Sequence, residues 1–111
     1  MSFHAEINAE LEKARQARTR GNEGRARVCA RRAAGIAIRE YLTQKGIHPP
    51  STSAIDLLTL IKDDPHLSPD LKSIADHLTL RVTGEFKLPI QADLIAEAQY
   101  LCVELLKTNG P

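Results

Sequence analysis

The stretch Asn22–Gly46, NEGRARVCARRAAGIAIREYLTQKG, constrains the fold more than any other part of the chain. It reads as one long helix. Asn22 can cap its start through a short amide oxygen, and Glu23 suits the positive end of the dipole. Gly46 supplies the left-handed stop that a residue with a β-carbon resists. No proline interrupts the run. Wound at about 100° per residue, its side chains sort into strips. Ala26, Ala30, Ala33 and Ala37 form a strip of small side chains, bordered by Cys29 and Tyr41. Val28, Gly35 and Leu42 form a second apolar strip, with Ile38 beside it. Arg25, Arg32 and Arg39 recur every seventh residue between the two, and Arg27 and Arg31 lie on the other boundary.

A helix with apolar surface on two sides needs neighbours on both. The alanine strip lets one of them approach closely. Gly35 costs about 1 kcal/mol against alanine in a helix interior. A close backbone contact would explain it; an ordinary core helix tolerating one glycine is the other reading.

The rest of the chain supplies four more helices. Phe3, Ile7, Leu11 and Ala14 make a narrow stripe on a first helix over Ser2–Arg20, ended by Gly21. Gly21-Asn22 then breaks the chain between two antiparallel helices, an αα-hairpin. The loop after Gly46 is stiffened by Pro49 and Pro50. Ser53 opens a third helix, with Asp56 as its capping-box partner, and the helix stops near Asp63-Asp64, before Pro65. Ser68-Pro69-Asp70 signals a fourth start. Leu71, Ile74, Ala75, Leu78 and Val82 keep helical spacing until Gly84. A fifth helix is expected from Pro89 to Thr108. The prediction is a single all-α domain, 1–111, folded as an antiparallel bundle of about five helices. The second and fifth are innermost, with Ala26, Ala33, Ile36, Ala37, Leu94, Ala98, Leu101 and Leu105 mostly buried.

Composition limits the function. Net charge is only +1 but unevenly placed. Glu12–Arg32 holds eight basic and two acidic residues, or +6, and the remainder holds seven basic and twelve acidic, or −5. Cys29 and Cys102 fall in helical apolar runs, at a separation that matches no zinc spacing, and read as reduced core residues of a cytoplasmic protein. The N-terminus lacks the pattern of a secretory leader, and no apolar run approaches the roughly 20 residues that span a bilayer. The four histidines are scattered, without a metal-binding pair at i, i+4, and no Gly-rich phosphate loop is present. No cofactor is expected.

The long helix, written GN-x-x-x-A-x-x-x-A-R-R-A-A-x-x-A-I-x-x-Y-L, resembles the HEPN domain superfamily of small helical bundles. The matching residues are Gly21, Asn22, Ala26, Ala30, Ala33, Ala34, Ala37, Ile38 and Leu42, then Asp56-Leu57-Leu58, Arg81, and Ala92 to Leu106. The resemblance implies a helical bundle that is often a homodimer. It also implies either an RNase, frequently the toxin paired with a minimal nucleotidyltransferase antitoxin, or a non-catalytic member that binds nucleotides, RNA or protein. Catalytic members carry Arg, four to six residues, then His. Arg81 stands at the arginine position, but the tract Val82–Leu88 contains no histidine, and none of His4, His48, His66 and His77 has an arginine at that spacing before it.

Three readings of the chemistry stay open. Arg81 as the phosphate cation with Glu85 as the base would allow RNA cleavage, against Arg81 packed on carboxylates at a helix end. The basic hairpin, with Arg18, Arg20, Arg27, Arg31 and Arg81 as candidate contacts, could neutralise the phosphates of RNA or a nucleotide. Alternatively, Arg25, Arg32 and Arg39 could pair with Asp93, Glu97 and Glu104 in a ladder between the two central helices. That last arrangement favours a non-catalytic module acting through homodimerisation and protein partners.

Overall fold

The computed structural model describes residues 2–80 and 93–107. They form α1 (Phe3–Thr19), α2 (Glu23–Gln44), α3 (Ala54–Ile61), α4 (Pro69–Thr79) and α5 (Leu94–Lys107), an all-α bundle without strands among the described residues. α2 packs against every other helix, α5 also packs on α1 and α4, and α3 packs on α4.

The punctuation seen in the sequence is built as expected. Ser2, Asn22, Ser53 and Ser68 each accept from a first-turn N–H, of Ala5, Arg25, Asp56 and Leu71 respectively. Gly21 and Gly46 take φ values of +79° and +77°. At each, two backbone bonds close the helix end: Gly21 N–H donates to Arg18 O and Asn22 N–H to Ala17 O, with Gly46→Thr43 and Ile47→Leu42 as the second pair. Each is a Schellman stop, which satisfies carbonyls that the helix end would otherwise leave bare.

The core joins all five helices. Ala26, Ala30, Ala33, Ala34 and Ala37 of α2 are at most 1% exposed, as are Ala98 and Leu101 of α5. The alanines allow the close approach of α2 and α5: Cys102 Sγ donates to the Ala33 carbonyl at 3.5 Å. Both cysteines are buried and unpaired. Of the eight residues expected inside, seven are buried, and Ile36 lies partly buried at the edge of the core.

Four sequence expectations need correction. α4 stops at Thr79, with Leu80 already extended at φ −64°, ψ 141°, and does not continue toward Gly84. The Leu78 carbonyl, which in a longer helix would receive the N–H four residues on, accepts instead from Arg31 Nε at 2.7 Å. α5 begins at Leu94, not Pro89, because the Asp93 carboxylate caps it, accepting from Ile95 and Ala96 N–H at 3.2 Å each. The capping box at α3 is not reciprocal: Asp56 accepts from Ser51 Oγ at 2.9 Å, while Ser53 N–H donates to Ser51. Val28, placed with the apolar strip, is 37% exposed.

Gly35 has a definite reason. A Cβ there would lie 3.1 Å from Ala54 Cβ and 3.2 Å from Ala54 Cα. The close approach is therefore between α2 and the first residue of α3.

Candidate functional site

The ladder of α2 arginines and α5 acids does not form. Asp93 pairs with Arg18 of α1 at 2.7 Å, Glu97 meets His77 Nδ1 of α4 at 2.7 Å, and Glu104 meets Lys107 one turn on at 2.9 Å. The physical reason is rotational. α5 lays its apolar face on α2, so its acids project past the contact toward α1, α4 and solvent. Among the described residues, Arg25, Arg32 and Arg39 have no carboxylate within ion-pairing distance.

The five arginines singled out as phosphate contacts separate. Arg18 is a strut: its guanidinium binds Glu23 at 2.8 Å through Nε and Asp93 through Nη1, tying α1 to the starts of α2 and α5. Its hydrogen bonds to Glu23 and then Asp93 hold it still more firmly protonated, and the bond from Arg18 holds the Asp93 carboxyl below the ordinary aspartate range. Arg20 is exposed at the α1–α2 turn. Arg27 and Arg31 are neighbours on α2. Burial, and then the charge of Arg27, make Arg31 less basic than an ordinary arginine. Arg81 lies outside the described residues, as does Glu85.

What sequence reasoning missed is the cleft where α1, α2 and the start of α3 meet, about 420 Å³ in volume. Arg31, Arg32 and Arg39 line it together with Glu10. Val28, Ile36 and Ile55 give it apolar walls, and Thr52 and Ser53 close the end nearest α3. Arg32 and Arg39 start roughly 10 Å apart along the helix axis, seven residues or about two turns. Gly35 falls between them, and the missing side chain is what seats Ala54 there. The first N–H groups of a helix have no partner within it, and among the described residues those of Ala54 and Ile55 have none from elsewhere. Arg31 is held in place by Leu78 through Nε, and its Nη groups have no hydrogen-bond partner among the described residues. On the opposite wall, Glu10 Oε2 is buried and has no hydrogen-bond partner among the described residues. The sequence held one signal for the cleft: a glycine midway between two arginines spaced by seven.

Three cations against one carboxylate, facing a helix N-terminus, suit an anion. No cluster of three or more His, Cys, Asp or Glu among the described residues could hold a metal ion. No described helix is long and apolar enough to cross a membrane. The chain matches no family model, no curated protein and no solved structure.

Proposed function

We propose that the chain is a non-catalytic, HEPN-like helical module that binds a phosphate-bearing ligand, RNA or a nucleotide, on the outer stripe of α2. One observation supports this reading over internal pairing: Arg25, Arg32 and Arg39 share a helix face with no carboxylate partner among the described residues. The stripe spans fifteen residues from Arg25 to Arg39, about 21 Å of helix, enough to meet more than one phosphate. The scarcity of aromatics, 4% of the chain, argues for backbone contacts and against base stacking. A minimal nucleotidyltransferase is the protein partner that the family resemblance suggests.

The test is fluorescence anisotropy of a labelled single-stranded RNA over a salt series. Retention at low salt, lost in the Arg32→Glu/Arg39→Glu double variant, is the expected result. Absence of retention at low salt would return the reading to a protein-interaction module. RNA shortened during the incubation, and spared by Arg81→Ala, would overturn the non-catalytic assignment.

A homodimer is a second proposal. Tyr100 and Val103 of α5 are 48% and 53% exposed, and apolar side chains this open on a small bundle suit a self-complementary contact. Sedimentation velocity should give a dimer that Val103→Glu converts to a monomer.

A further inference from the structure

We propose that the cleft between α2 and the start of α3 is a pocket for a phosphate monoester, and so distinguishes a terminal phosphate from the internal phosphodiesters of an RNA chain. The proposal rests on the phosphate-binding reading above and names the site and the chemical form it selects. The stripe of α2 arginines is open to any phosphate. The cleft is different, because it adds to the stripe the N–H groups of Ala54 and Ile55, which have no partner among the described residues.

The geometry begins at Gly35. With no side chain there, Ala54 closes on α2 so far that a Cβ at Gly35 would lie 3.1 Å from it, and the first turn of α3 sits between Arg32 and Arg39. The Ala54 and Ile55 N–H groups have no partner among the described residues. The Asp56 N–H is already taken by Ser53, and the Asp56 carboxylate is turned away onto Ser51. The nearest acid on α3 is therefore occupied outside the pocket. Arg31 needs no rearrangement, since the Leu78 carbonyl fixes it.

A monoester carries close to two charges near neutral pH, its second pKa being about 6, and presents three terminal oxygens. An internal diester carries one charge and two free oxygens. Three guanidinium groups face one carboxylate, whose Oε1 is itself paired with Lys13 at 3.5 Å, so the cleft carries at least two positive charges. That balance matches a dianion, whose third oxygen can reach the α3 amides while the others meet arginines in charge-assisted pairs. Val28, Ile36 and Ile55 give the attached group an apolar surface. Glu10 Oε2, buried without a hydrogen-bond partner among the described residues, can accept from a hydroxyl or N–H of that group. Its negative charge also repels an anion seated close beside it.

A monoester reaches the cleft either as a free mononucleotide or as the 5′ end of an RNA. Calorimetric titration of the full chain at low salt, with 5′-UMP, inorganic phosphate, and one short RNA carrying a 5′-phosphate or a 5′-hydroxyl, separates the two. The expected result is 5′-phosphate RNA bound about tenfold tighter than its 5′-hydroxyl form, the difference made by one or two charged hydrogen bonds. Ile55→Glu, at a side chain 48% exposed at the pocket mouth, should erase that advantage, lowering the 5′-phosphate affinity by a larger factor than the 5′-hydroxyl affinity. Glu10→Gln should strengthen binding of inorganic phosphate severalfold, a gain that a damaged fold cannot produce. UMP binding that Ile55→Glu abolishes, with no advantage for the RNA end, upholds the pocket with the free nucleotide as its source. Equal binding of the two RNAs with no UMP binding overturns the pocket and leaves the phosphate-binding stripe standing. Binding of no RNA and no UMP overturns both.

Discussion

Gly35 shows how one residue can set a tertiary contact. Alanine gains about 1 kcal/mol over glycine in a helix interior, but a Cβ at this position needs the start of α3 to move by a few tenths of an ångström. Gly35→Ala should therefore alter stability by less than about 1 kcal/mol, the propensity gain offsetting the shift. Gly35→Leu, which cannot be absorbed so cheaply, should cost about 3 kcal/mol in urea unfolding. From the sequence, a close contact at Gly35 was one of two readings, and its partner was not legible, because Ala54 comes from a helix start beyond a proline loop. Asp93 is the second informative residue. It caps α5 and pairs with Arg18. Its pKa is lower folded than unfolded, so the pair adds stability above the ordinary aspartate pKa of about 4, which is lost as pH falls through the lowered folded value. Asn caps as well as Asp, so Asp93→Asn isolates the charge. With side chains 37% and 57% exposed, the loss at pH 7 should stay under about 1 kcal/mol. Unfolding curves of variant and parent should converge as the pH is lowered below the aspartate range.

At the scale of the element, the helix starts and the two glycine stops were legible because they are local: each cap reaches three residues and each Schellman bond five or fewer. The end of α4 was not. Its apolar spacing runs on to Val82, but Arg31, 47 residues away, donates to the Leu78 carbonyl. No local pattern carries that information. Thr79 reinforces the stop, its hydroxyl donating back to the Ala75 carbonyl and accepting from Lys62 Nζ at 3.0 Å. Arg31→Met keeps much of the packing of the stem and removes the donor. It should cost about 1–2 kcal/mol, and amide exchange should quicken in the last turn of α4 and hardly change in α1. The rotation of α5 about its own axis was equally hidden. Period alone placed Asp93, Glu97 and Glu104 on one strip but could not say which neighbour that strip would face.

Across the whole molecule, the bundle was legible because α2 and α5 are apolar around most of their girth, and such helices have few ways to be covered. The unequal division of charge was legible too. Its use was not, since a stripe of arginines reads the same whether a carboxylate or a phosphate meets it. If three to five arginines contact phosphates, the logarithm of RNA affinity should fall with the logarithm of salt at a slope of roughly −2 to −3.5. The triple variant Arg25→Gln/Arg32→Gln/Arg39→Gln should flatten that slope by about 2 units. One further property comes from the seam of small side chains between α2 and α5. Burial pushes the Cys102 thiol up to about 12, and Cys29 is fully enclosed, so neither sulfur reacts readily while the seam is shut. An alkylating label would mark only molecules whose two inner helices have parted, and its rate of incorporation would time how often the bundle breathes.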